Sequence, residues 1–365
     1  MTETKIILGI ETSCDETSLA IIRSTAQGPQ IISHEIYSHD RALKKWGGVV
    51  PELVARYHAE KLPFLFKAQM QDCQLAPKDI SLIGVTLAPG LIGPLLTGLS
   101  FAKSLSMLHE IPILGVNHLF AHLEAIHLST SEVTYPYLGC LFSGGHSLFV
   151  LIRSSHEWEF VGSTIDDAAG ESLDKAGKLV GIDYPCGRII DEIAPWGDPK
   201  KYAFPRPMAA KDYGIKMSFS GLKNAFRLKV EELNLQGDSL PKMWWQSKNP
   251  LPEFQKLYDL LASYQSAVMQ SLFTKMQLAH KQVGNIPIVF GGGVACNSHL
   301  RTLVADWSAK QNAKSYFVSP IYCTDNGAMI ANFAYRNQMM ATPFPACLSL
   351  DAKSSTLLAK KDGLS

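Results

Sequence analysis

The chain has 365 residues, 46% of them hydrophobic and 18% charged, which supports a sizeable core and excludes wholesale disorder. Lys and Arg (34) balance Asp and Glu (33) to a net charge of +1, so a nucleic-acid or membrane partner has to be met by a local patch. Seven cysteines (14, 73, 140, 186, 296, 323, 347) are dispersed without a C-x-x-C pair, which fits reduced thiols in a cytosolic protein better than a disulfide framework or a zinc knuckle.

The length implies two domains or one large bilobed body. The N-terminus carries Glu3 and Glu11 and lacks the apolar run of a signal peptide. Ile6–Ile10 and Ser18–Ile22 read as strands around a polar turn, Thr12–Thr17, in a hairpin pattern. Pro51–Gln71 reads as an amphipathic helix interrupted at Pro63. Ile80–Ala102 has no charge and is long enough to span a bilayer, but Pro89, Pro94 and four glycines break it into a buried strand, a glycine turn and a helix start. The protein is therefore expected to be soluble, with no membrane partner. Leu138–Phe142 and Ser147–Ile152 repeat the hairpin about 130 residues on, which predicts a duplicated domain with an active cleft between the copies.

Asp166–Val180 reads as a helix rich in small residues, with Asp166 as its cap and Asp167 and Asp174 on one face. Pro252–Gln282 places Leu257, Leu260, Leu261, Tyr264, Val268, Leu272 and Met276 at helical steps and ends at Gly284. Ile286–Phe290 is a strand into Gly291-Gly292-Gly293, a helix begins near Ser298, and Val318–Pro320 repeats the strand–turn–helix plan through Asp325. After Pro345 the chain reads as a loose tail. Mixed α/β with two lobes is the predicted architecture.

His118 and His122 stand at i and i+4, the spacing at which one helix face offers two imidazoles to one metal; the same spacing also occurs on ordinary helices. Leu119 occupies the position where an H-E-x-x-H peptidase needs its Glu, so peptidase chemistry is disfavoured. Asp325, at a glycine-adjacent helix start, is a candidate third ligand. Ser143-Gly144-Gly145-His146 and Gly291-Gly292-Gly293, with Ala88–Gly93 as a weaker case, suit close backbone approach to the phosphates of a nucleotide-like ligand. Neither a Rossmann G-x-G-x-x-G nor a P-loop is present. Between Lys200 and Lys229 eight basic residues face Asp212 alone, with Tyr202, Phe204, Tyr213, Phe219 and Phe226 interleaved, a composition that suits RNA as well as an ordinary solvated face.

The ordered motifs Glu11–Thr17, Gly47–Glu52, Asn117–His122, Phe142–His146, Asp166–Lys175, Phe219–Lys223, Gly292–Asn297 and Cys323–Asn326 resemble the bacterial TsaD family (once labelled Gcp), the tRNA N6-adenosine threonylcarbamoyltransferases, over about residues 5–335. The resemblance implies an actin/Hsp70-like ATPase (ASKHA) fold with duplicated hairpin-bearing domains. The expected division is residues 1–114 with 325–345 as the first lobe, 115–324 as the second lobe with the metal and nucleotide cleft, and 346–365 as a flexible tail. It implies further that His118, His122 and Asp325 hold iron or zinc. Leu141, Phe142, Ser143, Gly144, Gly145, Asp174, Gly187, Asp191 and Asn297 would line the pocket for threonylcarbamoyl-AMP or ATP.

The family transfers the threonylcarbamoyl group to N6 of the adenosine beside the anticodon in tRNAs that read codons starting with A. Its bacterial members work in the cytoplasm with a TsaB-like paralogue and a TsaE-like ATPase, and a TsaC-like enzyme supplies the adenylate. Asp15 or Glu16 is expected to orient reacting groups or accept a proton, and the backbone of Ser143–Gly145 to steady the AMP leaving group. Asp174 and Asp191 are expected to hold the ribose hydroxyls. The chain departs from the family pattern at Phe120 and Ala121, where Glu and Gly are usual, and at Ala88 and Cys186, each in place of a Gly. A metallopeptidase and a stand-alone actin-fold ATPase or kinase are the alternatives, and a binding-only scaffold is a third.

Overall fold

The computed structural model describes residues 4–26, 28–39, 49–208 and 213–355. Gly47 and Gly48 of the glycine motif, Lys211 and Asp212 of the basic segment, and residues 356–365 of the expected tail lie outside the described residues. In chain order the elements are β1 (Ile6–Glu11), β2 (Glu16–Thr25), β3 (Gly28–Ser38), α1 (Pro51–Asp72), β4 (Ile80–Ala88), α2 (Ile92–His109), β5 (Ile113–Asn117) and α3 (His118–Glu124). They continue as β6 (Tyr137–Phe142), β7 (Ser147–Ile152), β8 (Trp158–Ser163), α4 (Ala169–Leu179), α5 (Cys186–Ile193), α6 (Ser220–Glu232) and α7 (Gln255–Val283). Last come β9 (Ile288–Gly291), α8 (Ser298–Gln311), β10 (Ser315–Phe317) and α9 (Gly327–Arg336).

The strands form two five-stranded sheets, ordered β3-β2-β1-β4-β5 and β10-β9-β6-β7-β8. Counted within each sheet, the order is the same: third, second, first, fourth, fifth. In both, the first two strands pair antiparallel and the first, fourth and fifth run parallel. The expected duplication is therefore present, and each copy has a third strand, β3 or β8, that the hairpin pattern did not reveal. Both are edge strands with mixed exposure, so neither shows the apolar run of its neighbours.

Two compact units emerge, Met1–Val133 with Arg153–Trp158 and Val318–Ser365, and Thr134–Ile152 with Glu159–Phe317. The division differs from the expected boundary after residue 114. β5 runs without a break into α3 at Asn117, whose side chain caps the helix by accepting from the Leu119 N–H at 3.0 Å. The histidine pair thus belongs to the first unit, not with the glycine turns of the second.

The first core is built from β1, β4 and β5 against α1 and α2, with Leu8, Ile10, Val85, Leu95 and Leu99 fully buried. Pro63 does not interrupt α1, which is continuous from Pro51 at its first turn to Asp72. The uncharged stretch 80–102 forms β4, the turn and most of α2, as expected, and among the described residues no helix is long and apolar enough to cross a membrane. The tail expectation fails for residues 346–355. Cys347 is buried beside Ser106, and Lys353 N–H donates to the Leu87 carbonyl at 2.9 Å. The second core centres on α7, whose predicted apolar stripe from Leu257 to Met276 is entirely buried. Burial of each such leucine contributes about 1.5–3 kcal/mol. The strand expected at Val318–Pro320 lies earlier, at β10.

Candidate functional site

Two local devices bring Asp325 to the histidine pair. Asn326 caps α9 by accepting from the Met329 N–H at 2.9 Å and donates to the Thr324 carbonyl at 2.7 Å, which fixes the residue between them. Helix α9 then lies on the first sheet at closest approach. A Cβ on Gly9 would stand 2.2 Å from the Gly327 carbonyl oxygen, and one on Gly327 would stand 2.6 Å from the Ala20 nitrogen. Both positions need glycine.

The result is a convergent triad. His122 Nε2 lies 3.0 Å from Asp325 Oδ1 and 3.2 Å from His118 Nε2, and His118 Nε2 lies 3.5 Å from the same oxygen. Donors bound to one tetrahedral cation at roughly 2.0–2.1 Å stand about 3.3 Å apart, so the spacing matches a shared ion. The donor set, two imidazoles and a carboxylate, is that of an open transition-metal site. His122 Nδ1 is buried and has no hydrogen-bond partner among the described residues, so that ring is held by its Nε2 side alone.

Sequence reasoning passed over the residue beneath the triad. Glu11, at the end of β1 and fully buried, places Oε2 3.1 Å from His118 Nδ1 and accepts from Thr86 Oγ1 at 2.6 Å. Its Oε1 accepts from the Ser13 N–H at 2.6 Å, and Ser13 Oγ lies 3.2 Å from His118 Nδ1. A carboxylate behind a ligating imidazole keeps the proton on Nδ1 and presents the Nε2 lone pair forward. The signal was available, since Glu11 is the one charged residue of an otherwise apolar strand.

Burial favours neutral forms here, but the charges prevail at two of the groups. His118 is pushed up to about 9, because Asp325 and Glu11 outweigh burial, and Glu11 is held below its ordinary value by His118 despite burial. His122 is lowered by burial. A protonated His118 beside a carboxylate occupies the position that a cation would take. Burial and Asp15 hold the Cys14 thiol well above its ordinary value, which keeps it a neutral thiol in the metal-free chain. Asp15, buried, lies on the turn between β1 and β2, and Glu16, half-buried, is the first residue of β2.

In the second unit, Leu141 and Phe142 are interior residues of β6, so only their backbone is available to a ligand. The Ser143 N–H donates to the His146 carbonyl at 2.8 Å, while Gly144 and Gly145 are exposed with nothing within 4 Å of either Cβ position. Gly292 has φ +87°, and a Cβ there would stand 2.5 Å from the Phe142 carbonyl oxygen, which packs the β9 turn against this one. Asp174 accepts from the Cys186 N–H at 2.7 Å, at the start of α5 beside Gly187. Asp191 accepts from Asn297 Nδ2 at 2.9 Å and from Ser298 N–H and Oγ at 2.9 and 2.8 Å, bracing the α8 N-terminus that Asn297 caps. Of the predicted pocket residues, Asp191 and Asn297 are bonded directly, and Asp174 reaches the backbone beside Gly187 through the Cys186 N–H.

Three expectations change. Asp166 caps α6 rather than α4, accepting from the Phe219 N–H at 2.8 Å and from Ser218 Oγ. Asp167 precedes α4, so it shares no helix face with Asp174, and it pairs with Lys175 and Lys223 at 3.0 and 2.6 Å. The basic stretch is partly neutralised, since Lys223, Arg227 and Lys229 pair with Asp167, Glu231 and Glu232. Phe219 and Phe226 are core residues and not a stacking surface. Of the departures, Phe120 packs on Trp158 with ring centroids 4.0 Å apart, and Cys186 is buried under α4.

Residues 30–332 match the family described as TsaD: tRNA N6-adenosine threonylcarbamoyltransferase. A protein of that name from Thermosipho africanus is 42% identical over 91% of this chain and 94% of its own length. Another from Thermotoga neapolitana is 38% identical over 96% and 99%. Among solved structures, full-length HypF shares the fold at a TM-score of 0.55 and 12% identity, over 92% of this chain; the chain spans 46% of HypF. That likeness extends to the actin/Hsp70-like ATPase architecture alone, in agreement with the duplicated sheet order. By sequence match over most of its length, this chain belongs to the TsaD family of tRNA N6-adenosine threonylcarbamoyltransferases and is an enzyme of the transferase class.

Proposed function

We propose that this chain transfers the threonylcarbamoyl group of threonylcarbamoyl-AMP to N6 of the adenosine beside the anticodon in tRNAs that read codons starting with A. In this reading His118, His122 and Asp325 hold one divalent cation, iron or zinc. The observation that carries the reading is the convergence of these three donors over the Glu11 carboxylate, in a chain of this family.

The donor is a mixed carbamic–phosphoric anhydride and is already activated, so the protein's tasks are positioning and charge stabilisation. The N6 nitrogen bonds to the carbamoyl carbon, the carbon–oxygen bond to phosphate breaks, and AMP leaves with the electron pair while N6 loses a proton. When bound, the cation supplies Lewis acidity toward oxygens of the anhydride. Glu11 keeps the His118 proton on Nδ1. The open backbone at Gly144 and Gly145 steadies the leaving phosphate, with Leu141 to Ser143 carrying the turn. Asp174 and Asp191 hold the ribose hydroxyls beside Gly187 and Asn297. Asp15 or Glu16 accepts the N6 proton or orients the groups.

The family resemblance supports a cytoplasmic assembly with a TsaB-like paralogue and a TsaE-like ATPase, with the adenylate made by a separate enzyme. Nothing favours a peptidase, as Leu119 stands at the general-base position and Glu124 is paired with Arg336 at 3.0 Å. Nor does any observation favour a stand-alone kinase.

The test is incubation of purified protein and partners with ATP, threonine, bicarbonate and tRNA, with mass detection of the modified nucleoside. His118→Ala is expected to lose the metal and lower turnover at least about 100-fold. Transfer that survives with the metal gone overturns the Lewis-acid role.

A further inference from the structure

The turn that leads from Glu11 to Glu16 is tied down at several points. Thr12 Oγ1 donates to the Pro94 carbonyl at 3.0 Å, and the Leu91 N–H donates to the Ser13 carbonyl at 2.8 Å. One further tie comes from α1, where His58 Nε2 lies 2.9 Å from the Cys14 carbonyl oxygen. That carbonyl begins the peptide bond into Asp15.

The polarity of this tie follows from donor and acceptor chemistry. A carbonyl only accepts, so His58 carries its proton on Nε2, and the neutral ring has a bare lone pair at Nδ1. Thr17 Oγ1 lies 2.6 Å from Nδ1, and its single hydrogen is committed there. The same oxygen lies 2.8 Å from His39 Nε2, which must then be the donor. The chain of bonds runs one way, from His39 to Thr17 to His58 to the Cys14 carbonyl. All three residues are buried, and burial holds both imidazoles below their ordinary value, His39 at about 4, which keeps the neutral forms that this order requires. His39 stacks on Tyr57, with ring centroids 4.9 Å apart, which sets its plane. A site that needed only packing would not align four polar groups inside a core.

We infer that His58 is a positioning residue for the transfer reaction, holding the Cys14–Asp15 peptide in one orientation, with Thr17 and His39 fixing the tautomer that lets it do so. The inference rests on the functional reading above. Its effect falls on the aim of Asp15 and Glu16 and not on the metal ligands.

The experiment measures kcat, tRNA KM and metal content of the full chain with its partners, for His58→Leu, His58→Gln and Thr17→Val. His58→Leu is expected to lower kcat by about tenfold or more, because small misplacements of reacting groups are costly, with KM and metal content unchanged. His58→Gln, whose amide N–H can still reach the carbonyl, is expected to recover most of the loss. Thr17→Val keeps the ring but frees its tautomer, and is expected to fall between. Wild-type kcat in His58→Leu, equal impairment of the Leu and Gln variants, or metal loss in step with activity overturns the inference. If His58→Leu does not fold, Thr17→Val decides, and wild-type kcat there overturns it. A wild-type chain that makes no modified nucleoside overturns the transfer reading itself, a result that these variants cannot imitate.

Discussion

Glu11 Oε2 sits between two donors, His118 Nδ1 and Thr86 Oγ1, with no water needed to satisfy it. Glu11→Gln keeps the shape but replaces the carboxylate with a neutral amide, so the His118 ring loses its charged partner. Metal affinity is expected to fall about 10- to 100-fold, read by competition with a chelator. The titration of His118 gives a second prediction. Its folded value, about 9, lies above the ordinary 6.5, so in the metal-free chain its charge contributes stability that is complete below about pH 6.5 and is lost as pH rises through 9. Metal binding runs the opposite way, since the ion must displace that proton. Affinity should rise with pH up to about 9, with close to one proton released per ion at pH 8, measured by calorimetry in buffers of different ionisation enthalpy.

At the scale of elements, α9 carries Asp325 to its partners only because two glycines let it touch the sheet. Gly9→Ala is expected to push α9 outward, destabilising the fold by about 1–3 kcal/mol and weakening metal binding in the same protein, read by urea denaturation and metal analysis. A second tie joins α3 to α9, where Arg336 Nε donates to the buried Glu124 carboxylate at 3.0 Å and Asn332 Nδ2 donates to the Glu124 carbonyl at 2.9 Å. Arg336→Met takes the guanidinium from that buried carboxylate, with His127 Nε2 still 3.9 Å away, and is expected to cost about 3–5 kcal/mol in the same denaturation assay. The helical spacing of His118 and His122 was readable because periodicity is local. The Gly9–Gly327 contact was not, because it joins residues from opposite ends of the chain.

At the scale of the whole chain, the duplicated hairpins declared a repeat, and the two sheets share one strand order. The return of the C-terminal segment to the first unit was less visible. Cys347 and Ala352 complete its core, and the Gly90 N–H donates to the Ser354 carbonyl at 3.1 Å. A chain ending at residue 342 is expected to lose about 2–4 kcal/mol of stability, measured by denaturant unfolding. Polar composition suggested a tail there, because the few apolar residues that dock are too widely spaced to show a period.

What could be read in one dimension was whatever depends on near neighbours: the hairpins, the α7 stripe, the imidazole pair and the ordered motifs that mark the family. The packing of distant segments assigned the rest. It made Glu11 the support of His118, turned Asp166 into the brace of a helix start, and took Phe219 and Phe226 into the core. A side chain's type limits what it can bond, but which partner reaches it depends on where the chain returns, and that is set by the summed burial of residues far apart in the sequence.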